Sequence, residues 1–358
     1  MIFFRQRILL TCLLTVSAVQ TVFATNKFPL EWKSECIGHY QIDVPGDIEI
    51  ALTKRAALLD DQAMAPIIFE DGSPAPYSVI YKLPNVGPAA SLTEFEQLRL
   101  DFTKLMKARK KEIIAEGNKN VANKIVPNLP NKTNFFGWRG ERKIVAFIFS
   151  EDRVYNYDAD KFKTFTENEA DLNHFFKTFQ TRKIFETPKE NGVCFPYGFL
   201  VDAQSNALRV SVTMRLKDHP DVEVFFKETT ATPPPPPSKD DINFDADKTV
   251  RFFLEEELLR TEQIHQIDYS FPKTRSVKID GREGKASFVE IIRANTHQRD
   301  FAYVAYLEGD PKSTTDAPDL MLYVVRNAAR AKGEPVSKSE LKEIIQKIVG
   351  SVRRHHSS

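Results

Sequence analysis

Alternation of apolar and polar residues along the chain predicts several half-buried β-strands. Residues 40–44 read Tyr-Gln-Ile-Asp-Val, which is the two-residue period of a strand with one buried face. Residues 208–216 alternate in the same way, and residues 222–226 follow as their hairpin partner. Two other segments, residues 144–149 and 320–325, are apolar throughout. Such runs are typical of central strands that are covered on both faces.

Helices are predicted where a capping residue precedes an amphipathic stretch. The four predicted helix starts are Ser91, Thr166, Asp247 and Ser337. Ser91, Thr166 and Ser337 each have a glutamate three residues later, which is the pattern of a capping box. The predicted apolar stripes are Phe95, Leu98, Phe102, Leu105, Met106 and Ile113; then Leu172, Phe175, Phe176 and Phe179; then Val250, Phe253, Leu254 and Leu258; and Leu341, Ile344, Ile345, Ile348 and Val352.

Both halves of the chain present these elements in the same order. Each half begins at a cysteine, Cys36 or Cys194, and continues through strands, a helix, a Gly-x-x-Gly hairpin signal and a closing helix. The hairpin signals are residues 137–140 and 281–284. This order predicts an α+β fold with two tandem domains of similar topology, each a mainly antiparallel sheet packed by amphipathic helices. Since the spacings differ, chance likeness of two ordinary α+β domains is the alternative.

The predicted domain boundary lies in a polar stretch around Pro188. It gives an N-terminal domain of residues 25–187 and a C-terminal domain of residues 188–354. The five prolines at residues 233–237 offer a competing boundary, because such a run forms an extended spacer. We interpret residues 231–241 as an exposed loop of the C-terminal domain, since a cut there would separate a hairpin from its helix.

The first residues have the pattern of a secretory signal peptide. Arg5 and Arg7 precede an apolar run at residues 8–19, and Ala24 ends a cleavage motif. Residues 1–24 are therefore predicted to be removed after Ala24 on export to the periplasm. A membrane anchor would need roughly 20 apolar residues, so no membrane insertion is expected. Residues 355–358 are predicted to form a disordered tail.

Charge and cysteine content narrow the classes of partner. Removing Arg5 and Arg7 from the 50 basic residues leaves 48 against 49 acidic ones. Such a balanced chain does not attract nucleic acid over long range. Cys12 lies in the leader, so Cys36 and Cys194 remain in an oxidising compartment, where a disulfide is the simplest expectation. Two buried thiols are the alternative.

The sequence contains none of the common short catalytic motifs. Gly-x-Ser-x-Gly, His-Glu-x-x-His and a phosphate-binding glycine loop are all missing. Cys36 and His39 have the spacing of metal ligands, but a zinc site needs three or four ligands and no second pair follows. His39 is expected instead to face solvent from a strand. We therefore expect no metal, no cofactor and no enzymatic activity, with an exported hydrolase of dispersed catalytic residues as an alternative.

The order of several short segments resembles one known family. The matching segments are residues 35–40 and 43–45 in the first half, and residues 194–199, 215–222, 281–284 and 339–341 in the second. Together they resemble the two-domain periplasmic immunity proteins that protect bacteria from the fourth class of type VI secretion lipase effectors. The five-proline run departs from that pattern.

The resemblance implies a non-enzymatic inhibitor. Such a protein clamps its cognate phospholipase effector between two α+β domains and blocks the effector's lid and active-site cleft. An exported module that binds the envelope or glycans in adhesion is the alternative from another class. For contact residues we hypothesise a hairpin tip from each half, near Trp138 and near Arg282 and Glu283. Packing of Trp138 beside its own sheet is the other interpretation.

Overall fold

The chain folds into antiparallel sheets with a few helices packed against them, which confirms the predicted α+β class. The computed structural model describes residues 31–59, 66–78, 80–81, 83–117, 126–127, 134–139, 144–158, 164–201, 208–230, 245–258, 264–310 and 316–355. The predicted leader at residues 1–24 and the proline-rich loop at residues 231–241 lie outside these ranges. None of the helices in the described ranges combines the length and the apolar character needed to cross a membrane.

A large sheet forms the centre of the molecule. Its strands are β3 (Ile48–Ile50), β6 (Ile80–Tyr81), β15 (Arg209–Leu216), β16 (Val222–Thr229), β17 (Ile264–Tyr269), β18 (Arg275–Ile279), β19 (Arg282–Arg293), β20 (Arg299–Leu307) and β21 (Asp319–Arg326). Their order is β17-β19-β20-β21-β16-β15-β3, with β18 beside β19 and β6 beside β15. The apolar segment at residues 320–325 lies in β21, between β16 and β20, as predicted for a central strand.

A second, five-stranded sheet belongs to the first half of the chain. It contains β7 (Asn85–Ala89), β8 (Val126–Pro127), β9 (Phe135–Arg139), β10 (Ile144–Ser150) and β11 (Arg153–Asp158). Their order is β7-β11-β10-β9-β8, so β10 is the central strand that its apolar sequence predicted. Residues 137–139 of the predicted hairpin signal are instead part of strand β9 and pair with β10.

The remaining strands form small sheets at the junction of the two halves. The terminal sheet contains β1 (Trp32–Ile37), β2 (Tyr40–Pro45) and β22 (Arg353–Arg354). The middle sheet contains β12 (Phe179–Thr181), β13 (Gly192–Phe195) and β14 (Gly198–Val201). A short hairpin pairs β4 (Leu52–Thr53) with β5 (Ile67–Ile68).

Four helices cover these sheets in the described part of the chain. They are α1 (Leu92–Ala115), α2 (Phe165–Thr178), α3 (Ala246–Phe252), which continues as a π-helical turn over Phe253–Leu258, and α4 (Lys338–Ser351). The capping boxes of α1 at Ser91 and of α4 at Ser337 are present as predicted. Two starts are corrected: α2 is capped by Thr164 and α3 by Asp245, each two residues before the predicted cap.

The apolar stripes were predicted correctly for α3 and α4 and with errors in α1 and α2. In α4 the side chains Leu341, Ile344, Ile345 and Ile348 are buried. In α1 Leu105 is exposed, and in α2 Phe176 is exposed, although both were placed on the buried stripe. Periodicity alone assigned them to the core because each lies at the margin of its stripe, where a small rotation decides exposure.

The two halves share sheets across the predicted boundary at residue 188. Strands β3 and β6 of the first half complete the large sheet by pairing with β15. At the other end of the chain, β22 pairs with β2 in the terminal sheet. One apolar core joins both halves, because Tyr40 and Ile42 pack in the same cluster as Leu341 and Ile348. The division into residues 25–187 and 188–354 therefore stays a prediction, and the sheets cross it.

Candidate functional site at the junction of the halves

A disulfide joins the first strands of the two halves. The Sγ atoms of Cys36 in β1 and Cys194 in β13 are 1.99 Å apart, and both residues are fully buried. Beside them, the backbone N–H of Gly38 donates to the Cys194 carbonyl at 2.7 Å, and the Cys194 N–H donates to the Gly38 carbonyl at 2.8 Å. The predicted pairing of Cys36 with Cys194 is confirmed, and the alternative of two separate thiols is wrong.

A buried ion pair lies directly beside the disulfide. Glu35 is fully buried, and its carboxylate accepts a hydrogen bond from the Arg182 guanidinium. The other carboxylate oxygen accepts the Phe185 N–H at 2.7 Å. Arg182 also donates to the carbonyls of Cys36 at 2.7 Å and Phe195 at 3.3 Å. Because every contact is a hydrogen bond to an oxygen, the two buried charges are compensated at the point where the halves meet.

His39 turns inward and pairs with a second buried carboxylate. Its backbone N–H donates to Glu228 Oε2 at 2.7 Å, and its Nδ1 lies 2.6 Å from Glu228 Oε1. The prediction that His39 faces solvent is therefore wrong. Gly38, with φ of +61°, leaves room for this contact: a Cβ there would come within 1.9 Å of Glu228 Oε2. Glycine is needed on both counts, the positive φ and the close carboxylate.

His355 also forms hydrogen bonds at the junction. The His355 N–H donates to the His39 carbonyl at 2.7 Å, and His355 Nε2 lies 3.1 Å from the Glu190 carbonyl oxygen. His355 is buried, so its assignment to a disordered tail is wrong. Residues 356–358 lie outside the described ranges.

Residues 66–78 cover the face of β15 that was predicted to meet solvent. Ser211, Thr213 and Arg215 on this face are all buried. Arg215 donates to Asp71 at 2.8 Å and stacks on Phe69, with the guanidinium carbon 3.7 Å from the ring centroid. Burial opposes ionisation of Asp71, but hydrogen bonds from Ser73 and the Arg215 charge outweigh it and lower the pKa of Asp71 to about 2.

An open groove of about 250 Å³ lies next to this junction. Residues of the first half form most of its lining, and Tyr197 and Lys217 of the second half complete it. Tyr197 is fixed between the halves: its carbonyl accepts the Tyr155 hydroxyl at 2.8 Å, and the Arg153 guanidinium carbon is 3.4 Å from its ring centroid. Burial raises the pKa of the Tyr197 phenol, which therefore stays neutral.

The groove combines apolar walls with an excess of positive charge. Its apolar side chains include Ile48, Ile50, Leu52, Ile68 and Ile184. Its charged residues are Lys54, Arg55, Arg153, Lys217, Glu49 and Glu70. Arg55 is paired with Glu94, while Lys54 and Lys217 are exposed. Because Arg55 and Arg153 have acidic partners outside the lining, Lys54 and Lys217 are the exposed cations of the groove, and they suit a protein segment that presents both apolar and acidic side chains.

The comparisons with known proteins agree with this architecture. Residues 186–357 match the family described as Tle cognate immunity protein 4 C-terminal domain. The match spans 172 of the 358 residues, so the C-terminal part of the chain is similar to this family. The resemblance inferred from the sequence is thereby confirmed, and the family is one of immunity proteins rather than enzymes. No curated protein matches the chain.

Solved structures of immunity proteins share the fold over nearly the whole chain. A Tle4–Tli4 complex matches with a TM-score of 0.56 and 16% identity, covering 91% of this chain and 98% of the other. The immunity protein TplEi of Pseudomonas aeruginosa, in complex with an "L" peptide, matches with a TM-score of 0.55 and 15% identity, covering 91% and 99%. The uncomplexed form of TplEi matches with a TM-score of 0.54 and 15% identity, covering 91% and 98%.

The structure places the hypothesised contact residues in two different sheets. Trp138 lies on β9 of the five-stranded sheet, whereas Arg282 and Glu283 lie on β19 of the large sheet. The hairpin tip itself is Asp280 and Gly281, both with positive φ, so Arg282 and Glu283 belong to the strand. The Arg282 guanidinium donates to the carbonyls of Pro318 and Glu308, both at 2.8 Å, and Glu283 is exposed. Their role in contacting a partner stays a prediction.

Sequence reasoning missed the buried polar pairs at the junction of the two halves. Arg182 is 147 positions from Glu35, and Glu228 is 189 positions from His39. No local pattern links residues so far apart. The one available signal was Glu35 beside the cysteine of a predicted strand, since a charge next to a buried disulfide needs a partner.

Proposed function

We propose that this chain is a periplasmic immunity protein that inactivates a type VI phospholipase effector by clamping it between its two halves. The match of residues 186–357 to an immunity-protein family carries the proposal. The effector's lid and active-site cleft are then unusable because the bound immunity protein covers them. The solved Tle4–Tli4 complex, which shares the fold, supports a partner of this class.

The groove at the junction supports a clamp whose two walls are set before binding. Tyr197 and Lys217 approach it from the second half, and Ile48 and Lys54 approach it from the first. The Cys36–Cys194 disulfide joins the two halves, and Arg182, which pairs with Glu35, also donates to the Phe195 carbonyl of the second half. A preorganised site loses less conformational entropy on binding. Such rigidity suits an inhibitor that needs nanomolar affinity, on the order of −12 kcal/mol.

Reconstitution with the effector tests the function directly. The mature chain is mixed with the phospholipase encoded beside its gene, and activity is measured on phospholipid vesicles. We expect a stable complex in size-exclusion chromatography and loss of lipase activity at equimolar protein. A chain that neither binds nor inhibits this enzyme would refute the proposal. Hydrolysis by the chain alone would establish the hydrolase alternative.

Charge reversal in the groove tests the clamp separately. Lys54→Glu and Lys217→Glu each place an acid among the groove cations. Either change should weaken effector binding by about tenfold, mostly through slower association at low salt. Lys332→Glu makes the same charge change at an exposed position that does not line the groove, and serves as control. If all three variants bind alike while the wild type still inhibits, the groove is not the contact surface.

A further inference from the structure

Phe271 is almost completely exposed on the loop between β17 and β18. Its side chain is 93% accessible, whereas the other exposed large apolar residues of the described chain reach at most 52%. Burying a phenylalanine side chain is favourable relative to leaving it in water. The unbound protein forgoes that burial at this position.

The loop that carries Phe271 forms hydrogen bonds with residues of β18, β19 and α3. Arg275 donates to the Phe271 carbonyl at 3.0 Å, and the Ser287 hydroxyl donates to the Lys273 carbonyl at 2.6 Å. Thr274 is hydrogen-bonded to Asp247 of α3. Phe271 is therefore held outward by a loop with fixed backbone contacts. A side chain presented in this way loses little conformational freedom when it is bound.

The segment that carries Phe271 is basic along its sequence, while Asp268 and Asp280 flank it and Asp247 contacts its Thr274. Residues 270–279 contain Lys273, Arg275 and Lys278, all exposed, and no acidic residue. The chain as a whole is balanced, with 50 basic and 49 acidic residues, so this segment is a local departure. The complementary surface is an apolar pocket with an acidic rim.

We propose that Phe271 is an anchor that enters an apolar, acid-rimmed pocket on the effector protein. The proposal rests on the proposed function and adds a second contact to the groove. A central, fully desolvated aromatic side chain is the usual form of such a hot spot. A lipid surface fits less well, because the segment offers only three cations and the chain as a whole is balanced in charge.

Truncation of Phe271 tests the anchor against a matched apolar truncation. Phe271→Ala should weaken binding of the adjacent-gene phospholipase by about 30-fold, and Phe271→Trp should retain most of the affinity. Leu100→Ala removes an apolar side chain that is 51% exposed on α1 and should change affinity less than twofold. The thermal midpoints of all variants should match the wild type, since Phe271 contributes little to the core.

The outcomes separate the anchor from the proposed function. If the wild type binds and inhibits the effector but Phe271→Ala binds within twofold of it, the anchor is refuted and the immunity function stands. If the wild type does not bind the effector, both fail. Sedimentation with phosphatidylglycerol vesicles provides the third arm. Sedimentation of the wild type but not of Phe271→Ala would assign Phe271 to a lipid surface and overturn the protein anchor.

Discussion

At the scale of single residues, the junction depends on charges that are buried and paired. Glu35 and Glu228 are both fully buried: the Glu35 carboxylate accepts hydrogen bonds from Arg182 and Phe185 of its own half, and the Glu228 carboxylate accepts them from His39 of the other half. A buried charge without a partner is far more unfavourable than a buried pair. Removing one partner therefore destabilises the protein mainly because the other charge stays buried and unpaired.

Removal of the Arg182 guanidinium should strongly destabilise the protein. In Arg182→Met the Glu35 carboxylate stays buried without its cation, and the free energy of unfolding should fall by about 3–5 kcal/mol. The double variant Glu35→Gln/Arg182→Met removes both charges and should be more stable than Arg182→Met. Guanidinium unfolding followed by circular dichroism measures both. A double variant that is less stable than Arg182→Met would contradict this account.

Tyr40 should make the protein sensitive to alkali. Burial, with the Glu228 charge, raises the pKa of Tyr40 to about 12 from an ordinary value near 10. The folded state therefore favours the neutral phenol, and the resulting stability is present below pH 10 and lost as pH rises towards 12. In Tyr40→Phe the loss of unfolding free energy over that interval should be smaller by about 2 kcal/mol. Thermal midpoints between pH 7 and pH 11.5 test this.

Tyr40→Phe has a second expected result at neutral pH. Within the described residues, the buried Tyr40 hydroxyl has no hydrogen-bond partner. Its removal should therefore leave the thermal midpoint at pH 7 unchanged or higher, since an unsatisfied buried hydroxyl is unfavourable. A midpoint that falls by several degrees would show that the hydroxyl is bonded after all.

At the scale of elements, local patterns predicted the strands and helices well and their surroundings poorly. The apolar runs placed β10 and β21 at sheet centres, and capping boxes located α1 and α4. The alternation in β15 was interpreted as one solvent-exposed face, yet residues 66–78 cover that face. Serine and threonine are compatible with solvent and with buried hydrogen bonds, so the pattern could not distinguish the two. Helix starts were displaced by two residues where several capping residues lie close together.

The covered face of β15 gives a test of this contact between elements. The hydroxyls of Ser78 and Thr213 are 2.6 Å apart and both residues are buried. Thr213→Val leaves the Ser78 hydroxyl without this partner and should lower the free energy of unfolding by about 1–2 kcal/mol. The double variant Ser78→Ala/Thr213→Val should be destabilised by less than the sum of the single changes. Additive effects would show that the two hydroxyls do not depend on each other.

At the scale of the whole molecule, the two halves form one connected structure. β3 and β6 extend the large sheet, and β22 returns to pair with β2. The disulfide could be predicted because only two cysteines remain after the leader, but the groove could not. Its walls come from Tyr197, Lys217 and strands far away in sequence, and their proximity follows from long-range sheet pairing. Such contacts have no signature in residue spacing.

The Cys36–Cys194 disulfide should stabilise the fold by restricting the unfolded chain. The bonded residues are 158 positions apart, and a link across so long a loop removes much of the entropy of the unfolded state. In Cys36→Ser/Cys194→Ser the free energy of unfolding should fall by about 2–5 kcal/mol. Guanidinium unfolding with and without reductant measures this, and the reductant should destabilise the wild type but not the double variant.

Cys36→Ser/Cys194→Ser also tests whether the disulfide contributes to effector binding by the proposed clamp. Glu35–Arg182 and the backbone bonds between Gly38 and Cys194 remain available, so the variant should still fold. Without the covalent link, the groove walls lose part of their preorganisation, and binding to the effector should weaken because more ordering occurs on binding. If stability falls while affinity stays the same, the disulfide serves the fold alone and the clamp owes its geometry to the shared sheets. If neither changes, the hydrogen bonds at the junction suffice for both.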